Sequence, residues 1–316
     1  MGKDTKNVIL NQKLSQRDAF WSEVGVQMAH DEDIVIVVVD MSTPVFDEIR
    51  VKYPHRFINV GIAEQNAISV AAGLAMKGKK VFVYAIASFM VLRCFEQIRV
   101  NCSIMGLPIT IVGVGAGFSY DDSGPTHHLF EDVAVMRSLP GMLIHSVSDN
   151  TMSKTVAQKS IELTVPNYVR LDRHITNELS EEQFDSKSGF RIIDENSNQD
   201  VSSAIITTGY MNKVAVNVSK EVKILVVDVY QIPCNIKKLF DSLIEVGIKK
   251  IYVLEENFLP GGLGSYVLEM SNPTPIEIEL LAMDHKWVYE YGGREANQKL
   301  HGIDAQSLIR KISGDE

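Results

Sequence analysis

Residues 33–40 read Asp-Ile-Val-Ile-Val-Val-Val-Asp, an unbroken run of β-branched side chains between two carboxylates. A strand with one wet face alternates apolar and polar residues; a strand without alternation has both faces covered. Parallel sheets with crossover helices on either side provide that cover. The neighbouring sequence has the matching helices. Ser15 to His30 carries Phe20, Val24, Val26 and Met28 among polar residues, which reads as an amphipathic helix, with Ser15 and Asp18 as a capping pair. Phe57 to Val60 reads as a short strand that Gly61 breaks. From Ala63 onward, Ile68, Ala71, Ala72 and Ala75 recur at helical steps, which puts Glu64 in a first turn just past a strand end. Ligands collect at that place in open α/β sheets.

The alternation continues. Strands are expected at 80–86, 107–114, 142–146 and 168–171, with helices at 87–105, 130–137 and 149–163; Met41 to Pro44 reads as a loop. Composition changes at 175–188 (ITNELSEEQFDSKS), a polar, acidic stretch that reads as a linker. Beyond it a second pattern gives strands at 203–208, 223–229 and 250–255. Helices follow at 213–220, 236–246 and up to Met270, with a last one at 305–312. The expected fold class is therefore α/β, in two domains, each a mostly parallel sheet flanked by helices. A length of 316 residues accommodates two domains of roughly 150 residues each.

Composition excludes several classes. A net charge of −9 argues against nucleic acid as a partner, since phosphate binding needs a basic surface. The longest aliphatic run, Ile34 to Val39, is too short to span a bilayer, and residues 1–13 lack the apolar core of a signal peptide. Cys94, Cys102 and Cys234 are scattered, with no paired spacing for zinc or a disulfide framework, which places the chain in a reducing compartment such as the cytoplasm. Gly113-Val-Gly115-Ala-Gly117 follows a strand, but the residues after it read as a loop and not as the helix a dinucleotide site needs. His127 and His128 with Glu131 and Asp132 lack a third ligand at metal spacing. Gly261-Gly262-Leu263-Gly264 reads as a tight strand-to-helix turn, and Phe89, Leu92 and Phe95 by default as a core stripe.

Taken together, GIAEQN at 61–66, SFMVLRCFEQIR at 88–99 and SGPTHH at 123–128 resemble the transketolase family of thiamin-diphosphate enzymes, including deoxyxylulose-phosphate synthase. VVDVYQIPCN at 226–235 and VLEENFLPGGLG at 253–264 extend the resemblance over nearly the whole chain. It implies a pyrimidine-binding domain at 1–180 and a transketolase-like C-terminal domain at 190–316. The family's Gly-Asp-Gly signature for the diphosphate-binding domain does not occur here. The resemblance therefore implies a split enzyme. A partner chain would supply the diphosphate domain and its Mg²⁺ or Ca²⁺, with no metal held by this one, and two copies of each chain would assemble.

It also implies roles. Glu64 would hydrogen-bond N1′ of the thiamin pyrimidine, driving the cofactor's 4′-amino group toward the imino form that takes the C2 proton; burial against apolar walls keeps a shareable proton on that carboxyl. Phe89, Leu92 and Phe95 would wall the pyrimidine, with Asp40 also on the cofactor side. His127 would donate to the substrate's developing oxyanion. Ser123 stands where relatives carry Asp on a donor hydroxyl. Arg170 and Arg173 are the candidates for a sugar phosphate, with a structural ion pair as the competing role for each. The expected activity is transfer of a two-carbon ketol unit from a ketose to an aldehyde. The alternatives are the β subunit of a 2-oxoacid dehydrogenase, which SGPTHH disfavours, and a non-catalytic interaction subunit, which Glu64 with its phenylalanines disfavours.

Overall fold

A computed structural model describes residues 14–174, 178–179, 184–193, 201–271 and 273–314. The chain begins with α1 (Gln16–Gln27), capped by the Ser15 hydroxyl, which accepts from the Asp18 amide. There follow β1 (Ile34–Val38), α2 (Pro44–Lys52), β2 (Phe57–Asn59), α3 (Glu64–Ala75) and β3 (Lys80–Ile86). Next, π-helical turns at Phe89–Arg93 and Ile98–Ile104 flank a short α4 (Phe95–Gln97). The first half closes with β4 (Ile109–Val114), α5 (Asp132–Arg137), β5 (Leu143–Ser146), α6 (Asn150–Ser160) and β6 (Asn167–Leu171). In the second half lie β7 (Arg191–Ile193), β8 (Ser203–Thr207), α7 (Met211–Ser219), β9 (Leu225–Asp228), β10 (Gln231–Ile232) and α8 (Ile236–Glu245). They are followed by β11 (Lys250–Phe258), α9 (Leu263–Ser271), β12 (Glu277–Met283), α10 (Arg294–Leu300) and α11 (Ala305–Ser313).

The first sheet runs β10-β5-β6-β4-β3-β1-β2, parallel throughout except at β10. The second runs β12-β11-β8-β9-β7, with only β7 antiparallel. Both are mostly parallel sheets flanked by helices, as the sequence pattern requires. All five residues of β1 are buried, as its lack of alternation demands.

Four differences from the sequence reading have physical reasons. The loop read at Met41 to Pro44 holds for 41–43 but ends there: Thr43 caps α2, and Pro44 is its first residue, where a missing N–H costs nothing. The helix over 87–105 is π-wound, so its buried side is Met90, Val91, Cys94, Ile98 and Cys102. Phe89 and Phe95 are only half-buried and Leu92 is 41% exposed; of the three, only Phe95 packs against the core, so they do not form a core stripe. Finally, β10 belongs by sequence to the second half but pairs with β5 in the first sheet. Two residues of strand carry no periodicity to read. The linker expected at 175–188 falls partly outside the described residues.

The two halves share one hydrophobic cluster, which joins Val133, Met136 and Ile144 to Ile232, Leu239 and Tyr266. No helix among the described residues is long and apolar enough to cross a membrane.

Candidate active site

The C-terminal ends of β1, β2, β3, β4 and β6 open on one edge of the first sheet, and every candidate residue except Arg170 follows one of them in the chain.

Beyond β2, the side chain of Asn59 shapes the turn. Its Oδ1 accepts from the amides of Gly61 (2.9 Å) and Asp40 (3.1 Å), and its Nδ2 donates to the Asp40 carboxylate (3.2 Å). Asp40 itself takes φ +51°, a left-handed conformation that Asp tolerates better than most residues. Gly61, at φ +76°, lets the chain turn into α3. Glu64 is therefore the first residue of that helix and is only 3% exposed.

Both Glu64 oxygens accept from Nη1 of Arg93 at 2.8 Å. The Arg93 guanidinium, 45% exposed, also stacks on the Phe89 ring at 4.5 Å, and its backbone carbonyl accepts from Gln65. Phe89 meets the His127 ring edge-on at 5.2 Å. The His127 Nδ1 lies 3.0 Å from the Thr126 hydroxyl, and its ring is 5.9 Å from Tyr120. Tyr120 in turn lies under the Arg173 guanidinium at 4.7 Å. Arg173 pairs with Asp122 (3.0 Å), which also accepts from the Ser123 hydroxyl (3.0 Å). Glu64, Phe89, His127, Ser123 and Arg173 thus lie along one chain of contacts, with Arg93, Tyr120 and Asp122 as its links. Leu92 and Phe95 are on the same helical segment as Phe89, and Asp40 is held to β2 through Asn59.

Arg170 is not on this surface. It is 5% exposed and pairs with Asp132 through Nε (2.6 Å) and Nη2 (3.1 Å), while Nη1 donates to the Ser146 hydroxyl (2.9 Å). Its position inside a fully buried strand is the reason: a guanidinium there must have a carboxylate partner. Arg173, two residues beyond the strand, is partly exposed. His128 is buried against Phe118 and Phe130, and neither ring nitrogen has a hydrogen-bond partner among the described residues. Burial pushes its imidazole down from its ordinary value.

Sequence reasoning missed Arg93, Asn59 and Tyr120. A signal existed for Arg93: an Arg four residues after Phe89, on the exposed side of a helix facing Glu64, can reach that carboxylate. Among the described residues, no group of three or more His, Cys, Asp or Glu side chains is placed to hold a metal ion. The arrangement as a whole is a buried carboxyl, apolar and aromatic surface open beside it, and an imidazole and a hydroxyl further along. Such a set can orient a flat, basic heterocycle and a polyhydroxy substrate.

Comparison with known proteins agrees with that chemistry. Residues 12–178 match the family model described as transketolase, pyrimidine binding domain. The chain is 30% identical over 283 residues to the B subunit of the apulose-4-phosphate transketolase of Actinobacillus succinogenes, covering 88% of this chain and 90% of that protein. Against 1-deoxy-D-xylulose-5-phosphate synthase of Clostridium perfringens it is 28% identical over 92% of its own length, but spans only 47% of the synthase. A solved structure described as a split gene transketolase, inactive β4 tetramer, superimposes with a TM-score of 0.82 at 27% identity, covering 95% of this chain and 97% of that one.

Proposed function

We propose that this chain, which belongs to the transketolase family, is the subunit of a split thiamin-diphosphate enzyme that binds the cofactor's pyrimidine and transfers a two-carbon ketol unit from a ketose to an aldehyde. The observation that carries the reading is Glu64, a buried carboxyl at a helix start with half-buried Phe89 and exposed Leu92 nearby. Apolar surface left open near a carboxyl fits the face and ring nitrogen of an aminopyrimidine, so the residues present fit the cofactor's pyrimidine half. Bound thiamin diphosphate would supply the carbon nucleophile that carries the ketol unit.

The chain's own residues have separate tasks. Glu64 hydrogen-bonds the pyrimidine ring nitrogen; its carboxyl meets the Arg93 cation and not only the apolar walls expected from the sequence. Arg93 fixes the Glu64 carboxyl from its solvent side, while Phe89, Leu92 and Phe95 orient the ring and exclude water from it. Asp40 borders the same edge. His127 donates to the substrate oxygen that gains charge, and Ser123 hydrogen-bonds a donor hydroxyl. Arg173 is the guanidinium available to a phosphate, and a phosphorylated sugar fits the naming of the apulose-4-phosphate relative. Arg170 serves the Asp132 pair instead.

The diphosphate and its Mg²⁺ or Ca²⁺ belong on a partner chain. We assign 1–180 to the pyrimidine-binding domain and 190–316 to the C-terminal domain, place the protein in the cytoplasm, and expect two copies of each chain in the active assembly. A 2-oxoacid dehydrogenase β subunit is disfavoured by the transketolase relatives.

The test is reconstitution with a chain carrying the diphosphate-binding domain. Light scattering should give a two-plus-two complex. Calorimetry should show thiamin diphosphate binding by the complex and not by this chain alone. Separate monomers in the mixture, or equal cofactor affinity of the isolated chain, would refute the proposal.

A further inference from the structure

The loop that carries Ser123 and His127 is a closed excursion. Gly117 and Leu129 exchange both backbone hydrogen bonds at its neck, at 3.0 and 3.1 Å. What fixes its conformation comes largely from the other half of the chain.

Arg294, in the first turn of α10, is 5% exposed. Its Nη1 donates to Asp172, just past β6; its Nε and Nη2 donate to the two oxygens of Glu256 in β11, at 3.0 and 2.6 Å. The guanidinium also lies 3.3 Å from the Tyr210 ring centroid. Asp172 and Glu256 are 3% and 5% exposed, so one buried cation is shared by two buried carboxylates. Burial alone would raise the Asp172 carboxyl, but the Arg294 charge outweighs it and holds the group well below the usual carboxylate range.

Two carboxylates on one guanidinium need further donors, and the loop provides them. The Phe118 amide donates to Glu256 Oε2 at 3.0 Å, and the Ser119 hydroxyl donates to Asp172 Oδ1 at 3.1 Å. Gln298 adds a third donor, to Glu256 Oε1 at 2.6 Å. The Arg294 amide donates to the Asp121 carboxylate at 2.8 Å, so the same residue also grips the loop from its far side. Gly117 is required by this packing: at φ +58° a Cβ there would stand 2.0 Å from Glu256 Oε2. Asp172 also accepts from the His174 amide at 2.8 Å, but the Phe118 and Ser119 donors reach Glu256 and Asp172 only while residues 117–121 keep this path. That path leads directly to Asp122 and Ser123 and onward to His127.

We infer that Arg294 is a positioning residue: through Asp172, Glu256 and Asp121 it sets the loop that presents Ser123 and His127 to substrate. The inference rests on the ketol-transfer reading for the word substrate, but not for the loop contacts.

Arg294→Lys tests it, because an ammonium keeps the charge and cannot reproduce the fork across two carboxylates. Hydrogen–deuterium exchange on the full chain should show segment 117–129 exchanging about tenfold faster or more, with β3, β4, β8 and β11 unchanged. In the reconstituted complex, kcat/KM for the ketose should fall about 10- to 100-fold, through kcat where His127 is displaced and through KM where Ser123 is. Thiamin diphosphate affinity should not change, since Glu64, Phe89 and Phe95 are untouched.

Faster exchange spread evenly over both sheets would reduce Arg294 to a stability residue and overturn the inference. So would unchanged exchange in 117–129, or an unchanged kcat/KM in the complex. If Arg294→Lys does not fold, Glu256→Gln replaces it. That variant removes the charge that holds the Phe118 amide, and the same local pattern is expected with the same outcomes against it. The exchange measurement needs no substrate, so it decides the inference even if ketol transfer proves to be the wrong activity.

Discussion

Replacing Glu64 by Gln separates the chemical role of this residue from its structural one. In the folded protein both Glu64 oxygens accept from Arg93. Gln offers one oxygen to that donor and must turn its amide group away, toward the place proposed for the pyrimidine nitrogen. The structural loss is small, because Arg93 is 45% exposed and a pair open to solvent on one side contributes about 0–1 kcal/mol. The chemical loss is large: an amide N–H can hydrogen-bond but does not share an acidic proton. Acid–base assistance of this kind is worth about 10²–10⁴-fold in rate, which corresponds to about 2.7–5.5 kcal/mol of barrier. The loss should fall mainly on kcat. The assay is C2 proton–deuterium exchange of thiamin diphosphate bound to the reconstituted complex, followed by NMR, beside a thermal melt of the same variant. Slow exchange with a nearly unchanged melt is expected. Equal exchange rates in both proteins would show that Glu64 only starts a helix, and an exchange loss explained by a large drop in the melting temperature would refute the separation of roles.

Arg170→Met should lower unfolding free energy by about 3–5 kcal/mol in urea, because Asp132 is left buried without its cation, whereas Arg173→Met should cost less than about 1 kcal/mol while raising KM for a phosphorylated sugar. Ser123→Asp should sharpen discrimination among epimeric ketose donors, read as ratios of kcat/KM, since it puts a charge where the proposed donor hydroxyl is held. Two buried groups should tilt stability with pH in opposite directions. Burial pushes His145 down to about 4, so the unfolded chain takes up its proton first, and the stability of wild type relative to His145→Gln should fall as pH drops from about 6.5 to 4. Burial pushes Glu255 up to about 7, so the folded chain keeps the proton, and the stability of wild type relative to Glu255→Gln should fall as pH rises from about 4.5 to 7; denaturant melts across that range check both signs.

The parts of the fold legible in the sequence are those in which a local pattern states its own environment. The run at 34–38 could only be a strand covered on both faces. The break at Gly61 followed by helical spacing put Glu64 at a helix start beyond a strand, where it lies. What was not legible depends on partners far away in sequence. Arg93 reaches Glu64 across 29 residues, and Arg294 reaches Asp172 across 122, with no local periodicity to announce either. The stripe at Phe89, Leu92 and Phe95 was open to misreading because a π-wound turn rotates the side chains away from the α-helical register. Arg170 and Arg173 look alike in sequence, yet one lies within a buried strand and the other beyond it. Strand position decides between a fully buried ion pair, as at Arg170, and a partly exposed one, as at Arg173.

The long-range contacts also explain where a family of multidomain enzymes can be cut into separate chains. Three buried ionic clusters cross between the halves of this one. Arg170 and Asp132 are completed by Asn257, Arg191 bridges Asp149 and Asp228, and Arg294 joins Glu256 to Asp172. In addition, β10 covers the β5 edge of the first sheet. Cutting between the halves would leave that edge unpaired, part Asp149 from Arg191 and Asp172 from Arg294, and remove Asn257 from the Arg170–Asp132 pair, and an exposed strand edge invites association with other chains. A cut on the other side of the pyrimidine domain breaks none of these contacts. The apulose-4-phosphate relative is itself named a subunit and aligns with nearly all of this chain, whereas the deoxyxylulose-phosphate synthase carries the same region as about half of its length. The two halves are therefore joined by shared buried polar contacts and a shared strand edge.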